Sequence, residues 1–400
     1  MKILIVSQCY YPDTFLINEI APKMVKDGHE VTVLTGLPRD EEKHNEYRSK
    51  RIKRERIADV EIIRCYDSLN GNSTKKLIIN YLSFVLSSCI KVFQLKNDYD
   101  VVFCYQLSPV TQAIPAVLYK KLHRRPLFLY CLDIFPESVL SHTSKEGMIY
   151  KIVGWISKKI YKACDVIGVT SKSFIDYHTE VNGIPRLKQV YIPQHADDSL
   201  LSLPIRNSKK GHIDFLFAGN IGYAQNLDVI VNAAEQIEDR YDFSVHIVGD
   251  GSKLNAIKDY VAEKHQEKRF VFHSRVPRNE MEQFYNESDV LLLTLRGNNR
   301  VGETLPGKLQ TYMTAGRPII ASINGSAAEV IREANCGLCV PAGDAAGLAK
   351  AMMKYMDNPD DFWDCGTNAR AFYAKNFTFD IFMHQLMEQL YRLADKESVN

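Results

Sequence analysis

The sequence predicts an α/β protein made of two doubly wound parallel-sheet domains facing a cleft. Three observations lead there. The chain has 400 residues, more than one core usually supports. Short apolar runs alternate with segments of helical period from end to end, the sequence form of parallel sheets covered by helices. From 197 to 212 that alternation gives way to polar sequence without a pattern. This places a boundary between a first domain, 1–197, and a second, 198–379.

In the first domain, Lys2–Val6 is a short apolar run, the signature of a buried parallel strand. After the loop Tyr10-Tyr11-Pro12-Asp13, residues Ile17, Ile20, Ala21, Met24 and Val25 recur at helical spacing. Asp27-Gly28 stops that helix. Val31–Thr35 is the second strand. This βαβ opening lacks the GxGxxG fingerprint, so a nicotinamide cofactor is not favoured. Residues 38–58 are polar and end in the basic run Lys50, Arg51, Lys53, Arg54 and Arg56, which reads as a surface loop or short helix. A solvated face is the plain explanation of that run, and attraction to anionic lipid the sharper one.

The longest apolar stretch, Leu77–Phe93, is interrupted by Asn80, Ser83, Ser87, Ser88 and Lys91, and reads as a packed helix rather than a membrane span. Val101–Tyr105 is a strand, 110–122 a helix, and Pro126–Leu132 a strand ending in Asp133-Ile134-Phe135-Pro136-Glu137-Ser138. Carboxylates at the C-terminal end of a parallel strand lie where open α/β sheets bind ligands. Capping and turn formation are the plain alternatives for Asp133 and Glu137. Met148–Ala163 puts Ile149, Ile152, Val153, Ile156 and Ile160 on one face and Lys151, Lys158, Lys159 and Lys162 on the rest. Such a basic amphipathic helix packs on a sheet or lies on a membrane. Asp165–Thr170 and Gln189–Ile192 complete the strands.

The second series begins with the strand Ile213–Ala218, a helix from about Gln225 to Ile237, the strand Phe243–Val248, a helix from about Leu254 to Glu263 and the strand Phe270–His273. Gly219-Asn220-Ile221-Gly222-Tyr223 and Gly249-Asp250-Gly251 close two of these strands, and their glycines would let backbone N–H groups approach a phosphate. Arg275-Val276-Pro277 closes the third. Asp289–Leu295 then leads into the stretch that organises the chain, Arg296–Glu329. It carries Arg300 and Glu303 on a loop, Leu305-Pro306-Gly307 at a helix start, and Lys308, Thr311, Tyr312 and Met313 on the helix. Gly316 stops the helix, and Ile319–Ser322 is a strand. A helix N-terminus with Lys308 in its first turn suits a diphosphate. An acidic residue just upstream suits sugar hydroxyls. A nucleotide-sugar needs that combination, but an ordinary strand–loop–helix unit shares it, so both readings stay open at this point. At the end, Met383, Met387, Leu390 and Leu393 mark a helix within about 380–400, capped by Asp380 and long enough to pack back on the first domain.

Composition narrows the function classes. Apolar residues make up 46% and charged residues 24%, the balance of a soluble globular protein, and a net charge of +2 gives no reason to propose nucleic acid. The nine cysteines are scattered through apolar runs, not arranged as a disulfide framework. Cys336 and Cys339 form a CxxC without a second pair and read as buried small side chains. The N-terminal apolar run is too short for a signal peptide, so the cytoplasm is the expected compartment.

The segments YYPDTFLINEIAPKMVKDGHEVTVLTG, LDIFPES, FLFAGNIGYAQNLD, HSRVPRNEM and GETLPGKLQTYMTAGRPIIAS resemble the retaining glycosyltransferases of family 4, with two Rossmann-like domains (the GT-B fold). The GNIGxAQ, DxxPES and PxKxxxYMxxGxPI patterns resemble the branch that builds capsule, O-antigen and related exopolysaccharides. The resemblance implies transfer of a hexose or N-acetylhexosamine from a nucleotide-diphosphate sugar, UDP by family frequency, to a glycan acceptor. It implies a polyprenyl-diphosphate-linked sugar as that acceptor, met by a peripheral protein at the cytoplasmic face of the inner membrane. No cofactor and no metal are implied.

The resemblance also assigns residues. Glu303 matches the first of two family glutamates seven residues apart and would meet the transferred sugar. The second, a ribose ligand, is replaced by Thr311. The loop Gly219–Gln225 lacks the family's Arg and Lys, with Asn220, Gln225 and Asn226 in their places. Lys308 and Arg300, with Arg275 behind them, would therefore supply the charge. The base contact falls on the backbone near Arg275 and Val276. The donor set is thus Gly219, Asn220, Gly222, Gln225, Gly249, Arg275, Val276, Arg300, Leu305, Pro306 and Thr311. Glu303, Lys308 and Asp133 are assigned to catalysis. Tyr11, Pro12, Asp13 and Glu137 are assigned to the acceptor side. The family's first-domain His would fall near Leu132 and is absent, which favours same-face attack with the leaving phosphate as base. Two other readings remain: a nucleotide-sugar epimerase or hydrolase of the same fold, and a non-catalytic assembly partner that binds nucleotide-sugar.

Overall fold

A computed structural model of the chain describes residues 1–69, 74–141, 147–205, 211–297 and 300–397. Asn298 and Asn299 of the organising stretch, residues 206–210 of the polar boundary and 398–400 of the C-terminal segment lie outside the described residues. The chain divides into two compact units. One comprises Met1–Thr170, Phe174–Ile192 and Met383–Asn400, and the other Ser171–Ser173 and Pro193–Phe382.

The first unit runs β1 (Lys2–Val6), α1 (Ile17–Lys26), β2 (Glu30–Thr35), α2 (Glu41–Ser49), β3 (Arg54–Ile57), β4 (Val60–Arg64), α3 (Thr74–Val92), β5 (Val101–Gln106), α4 (Ile114–His123), β6 (Leu127–Cys131), α5 (Met148–Ala163), β7 (Val166–Val169), α6 (Lys172–Glu180) and β8 (Gln189–Tyr191). Its eight strands lie in the order β3-β4-β2-β1-β5-β6-β7-β8, all parallel except β3, which pairs antiparallel with β4. β1 is fully enclosed from Ile3 to Val6, and Ile17, Ile20, Ala21 and Met24 of α1 are buried, as their helical spacing predicts. Residues 38–58 form the short helix α2, one of the two readings of this segment, and also the edge strand β3, which its polar sequence did not announce. Much of their basic charge is paired, Lys50 with Glu46, Arg54 with Glu61 and Arg56 with Asp59. The stretch 77–93 is helical but is not a packed helix throughout, since Leu82, Leu86, Ile90 and Phe93 are more than half exposed.

The second unit runs β9 (Ile213–Ala218), α7 (Asp228–Glu235), β10 (Phe243–Val248), α8 (Leu254–Glu263), β11 (Phe270–His273), α9 (Met281–Glu287), β12 (Val290–Thr294), α10 (Gly307–Ala315), β13 (Ile319–Ser322), α11 (Gly325–Glu333), β14 (Gly337–Val340), α12 (Ala345–Asp357), α13 (Cys365–Asn376) and α14 (Phe379–Glu397). α14 starts in this unit and continues into the first from Met383. The sheet order is β11-β10-β9-β12-β13-β14, with every pairing parallel. The strand order reverses direction beside β9, and ligands of such sheets bind at that switch point, beyond the C-terminal strand ends. Phe215, Phe217, Ile230, Val245, Leu292 and Ile320 are among the core side chains beneath that edge. Cys336 and Cys339 are free thiols, the first buried and the second half-buried in β14.

Candidate functional site

In the second unit, the loops after β9 and β10 are locked to each other through backbone. Gly219 N–H donates to Val248 O at 2.9 Å and Ile221 N–H to Asp250 O at 2.8 Å. A Cβ on Gly249 would lie 2.0 Å from Gly219 O, and Gly249 holds φ +144°, so no other residue fits there. These amides are spent within the loop pair, and the glycines are required by loop packing whatever else they do. The rest of the loop is braced by Gln225, whose Oε1 accepts from Gly222 N–H at 3.0 Å and from Asn220 Nδ2 at 3.2 Å. Gln225 precedes the helix rather than opening it, because Asn226 takes a left-handed conformation (φ 52°) before α7 begins at Asp228. Arg296 clamps the loop from the β12 side. It donates to Tyr223 O at 2.8 Å and to Asp228 Oδ2 at 2.6 Å, and lies over the Tyr223 ring.

α10 begins beneath this loop pair. Pro306 is its N-cap in extended conformation, and Gly316 closes it with φ 68°. Lys308 and Tyr312, one turn apart, therefore both face β9. The Tyr312 hydroxyl accepts from Ala218 N–H at 2.8 Å, pinning the last residue of that strand. Lys308 Nζ lies 3.5 Å from the Phe217 ring centroid and is a buried atom with no hydrogen-bond partner. Part of the residue is reached by solvent, but the ammonium is not. Burial lowers its pKa from the ordinary lysine value to about 7. A Cβ on Gly219 would sit 2.8 Å from Lys308 Cε, so the glycine makes the space into which the lysine folds. A buried cation without a partner is costly. An anion placed there would remove that cost.

The other donor-side residues surround this centre at varied depth. Glu303 is half-buried, and its backbone packs on Gly325, where a Cβ would approach Glu303 O to 2.4 Å. The N-terminus of α11 therefore lies directly against Glu303, a neighbour not singled out from the sequence. Leu305 is buried and its N–H donates to Ser171 Oγ at 3.2 Å. Arg300 and Arg275 are exposed and Val276 half-buried. Thr311 turns its hydroxyl back to Gly307 O at 3.3 Å.

In the first unit, the corresponding edge is acidic. Asp133 Oδ2 accepts from Ser108 Oγ at 2.6 Å, and its pKa is raised by burial, opposed by that hydrogen bond. Both Asp13 carboxylate oxygens accept the Arg39 N–H at 3.1 Å, and burial again raises the pKa. Tyr11 and Pro12 continue the same loop, and Tyr11 O is held by the Arg64 guanidinium. Glu137 accepts from the hydroxyls of Tyr150, at 2.8 Å, and Tyr177, at 3.4 Å, and so anchors the segment after β6.

Asp67, which the sequence reading missed, lies within this edge. It follows β4 and is 4% exposed, accepting from Leu37 N–H at 3.0 Å and from Gln8 Nε2 at 3.5 Å. Burial raises its pKa to about 7. Gln8, Arg39, Asn80 and Ser108 line the same small polar cavity of about 20 Å³. Its sequence signal was a carboxylate just past an apolar run, Ile62-Ile63, but that run carries charged neighbours and was not recognised as a strand. Among the described residues no group of three or more His, Cys, Asp or Glu side chains could hold a metal ion.

Two parallel-sheet units, one burying a lysine ammonium without a hydrogen-bond partner beyond its strand ends and the other a set of carboxylates, define a two-domain α/β protein. Its family follows from comparison with known proteins. Residues 16–200 match the model of Glycosyltransferase Family 4, and residues 202–372 that of Glycosyl transferases group 1. The chain belongs to these glycosyltransferases and has their GT-B fold. A 2-deoxystreptamine glucosyltransferase of Streptomyces kanamyceticus is 29% identical over 36% of this chain and 36% of its own. The amylovoran biosynthesis glycosyltransferase AmsK of Erwinia amylovora is 25% identical over 48% of each chain. The match thus spans less than half the length of these two relatives. The structure of Anabaena Alr3699/HepE in complex with UDP-glucose superposes with a TM-score of 0.71 at 16% identity, covering 98% of this chain and 100% of that one.

Proposed function

We propose that the protein transfers a hexose or N-acetylhexosamine from a nucleotide-diphosphate sugar to a glycan acceptor in the synthesis of a bacterial surface polysaccharide. The observation that carries this reading is Lys308: a buried ammonium without a hydrogen-bond partner, at the first turn of α10 and beside the Gly219 loop. A diphosphate would pair with it and with the helix N-terminus. UDP is the nucleotide proposed, supported by the family and by the nucleotide of the Anabaena neighbour. The amylovoran relative supports a polysaccharide product.

In this reading Glu303 holds hydroxyls of the transferred sugar, and Lys308 and Arg300 stabilise the departing diphosphate. Configuration is retained by attack from the same face, the leaving phosphate taking the acceptor's proton. Asp133 and its acidic neighbours take the acceptor's hydroxyls. The acceptor is a polyprenyl-diphosphate-linked sugar, and the protein works at the cytoplasmic face of the inner membrane.

Calorimetric titration with UDP, GDP, ADP and dTDP, on the natural protein and on Lys308→Met, tests the reading. One diphosphate should bind near micromolar affinity, about −8 kcal/mol, and Lys308→Met should lose it. Binding of none of the four, or equal binding by the variant, would remove Lys308 from this role.

A further inference from the structure

Three helices of the first unit, α3, α4 and α5, follow β4, β5 and β6 in the same direction across the sheet. Right-handed crossovers place them side by side on one face of it, and α4 packs against α3 on one flank and α5 on the other. This layer leaves large apolar side chains in solvent. On α3 and just past it, Ile79, Leu82, Leu86, Ile90 and Phe93 are 54–66% exposed and recur at helical spacing. On α5, Ile149, Ile152 and Trp155 are 51–65% exposed, again along one face. Scattered exposed apolar residues need no explanation, but two rows of them on helices of one layer do.

The charge of the same layer is one-sided. The chain as a whole carries +2. These three helices contain lysines at 75, 76, 91, 120, 121, 151, 158, 159 and 162 and not one Asp or Glu. Lys159 Nζ lies 5.8 Å from the Trp155 ring centroid, the arrangement of an amphipathic pair with an apolar body and a charged tip. Beyond the C-terminal end of α4, Lys120, Lys121, Arg124, Arg125, Lys188 and Arg392 line a groove of about 690 Å³ that also holds Asp165, the ion-pair partner of Lys120.

We infer that the face formed by α3, α4 and α5 is a docking surface for an anionic lipid bilayer. Apolar rows enter the headgroup–acyl boundary, lysines reach to lipid phosphates, and the basic groove takes further headgroups. A second copy of this chain is disfavoured as the occupant, because it would set two all-cationic faces against each other. No helix among the described residues is long and apolar enough to cross the membrane, so the contact is interfacial. The inference deepens the lipid-linked acceptor reading, yet it stands on this surface alone and is read separately from donor binding.

Trp155 and Trp363 are the two tryptophans of the chain. In a Trp363→Phe background, Trp155 emission reports contact with lipid. Vesicles of phosphatidylglycerol and phosphatidylethanolamine should shift that emission to the blue and bind the protein, more tightly than phosphatidylcholine vesicles and less so in high salt. Adding Leu86→Glu and Ile90→Glu, at exposed positions where folding is not at stake, should weaken partitioning by about tenfold or more. The diphosphate affinity should stay the same in both proteins. Absence of binding, equal binding to neutral vesicles, or undiminished binding by the glutamate variant would overturn the inference. So would a dimer in solution that the glutamate variant converts to monomer. Loss of diphosphate binding with vesicle binding intact would strike the functional reading and leave this one standing.

Discussion

The ligand edges of the two units have the same construction and opposite chemistry. Each lies beyond the C-terminal ends of parallel strands, and each buries an ionisable group there. In the second unit that group is a base, Lys308, with no hydrogen-bond partner. In the first it is an acid, Asp67, satisfied by a backbone N–H and an amide. Burial disfavours the charged form of both, so the two pKa values move toward each other, to about 7 in each case. An unsatisfied buried cation would be stabilised by an anion from outside. A satisfied buried acid is a wall element that can donate a hydrogen bond when protonated and accept when not.

The comparison breaks most sharply at Lys308. Lys308→Met should lower turnover by about 10²-fold or more, because the departing diphosphate loses its enclosed charge. Steady-state transfer assays on the purified variant would show this, and an unchanged rate would sink the contrast between the edges.

Next in size is a folding effect. Gly249→Ala places a Cβ 2.0 Å from Gly219 O at a left-handed position. The interlocked loops cannot absorb it, so the thermal midpoint should fall by several degrees and diphosphate binding with it. Retained midpoint and binding would show that these loops are more pliant than their packing implies.

The two titrations sharpen the comparison because their signs are opposite. Asp67 has a folded pKa above its unfolded one. Its contribution is therefore fully present below about pH 4 and lost as pH rises through about 7. Asp67→Asn should gain on the natural protein by up to about 4 kcal/mol between those limits, read from denaturant midpoints at several pH values. Lys308 has a folded pKa below its unfolded one, so its contribution is present above about pH 10.5 and lost as pH falls to about 7. Lys308→Met should therefore be the more stable protein near pH 7 without ligand. For the natural protein, diphosphate binding at pH 8 should take up a proton, seen as a binding enthalpy that varies with the buffer's ionisation enthalpy. A binding enthalpy independent of buffer would mean that the ligand leaves Lys308 as it was.

The smallest expected effect is at Thr311. Its hydroxyl already bonds to Gly307 O. Thr311→Glu, which restores the family glutamate, should raise diphosphate-nucleoside affinity only a few-fold. A hundredfold gain would show that the ribose contact is the weak point of this site.

Much of this was legible in the sequence. The strand Phe243–Val248 and the boundaries of α5 and α8 follow from apolar runs and helical period, which depend on neighbours a few residues away. Pro306, Gly307 and Gly316 announced both ends of α10, because capping is local backbone chemistry. Lys308 was found by its place in the first turn. Asp67 was not found, because β4 is short, carries Glu61 and Arg64, and is recognisable as a strand only through its pairing with β2 and β3. Arg296 was noted as the start of a stretch and not as a clamp, since its partners Tyr223 and Asp228 are about seventy residues away.

The sequence by itself determined the order of elements, the two-unit architecture and the family. Tertiary structure decided the protonation and exposure of the groups that matter. The Lys308 pKa is lowered because Phe217 and the Gly219 loop close over its ammonium, and Asp67 is made a weaker acid by surroundings drawn from four separate segments. The apolar row of α3 is open because no other segment among the described residues packs over it. Periodicity is a local property of the chain, whereas desolvation depends on every segment that packs nearby. The first can be read residue by residue, and the second exists only once the chain is folded.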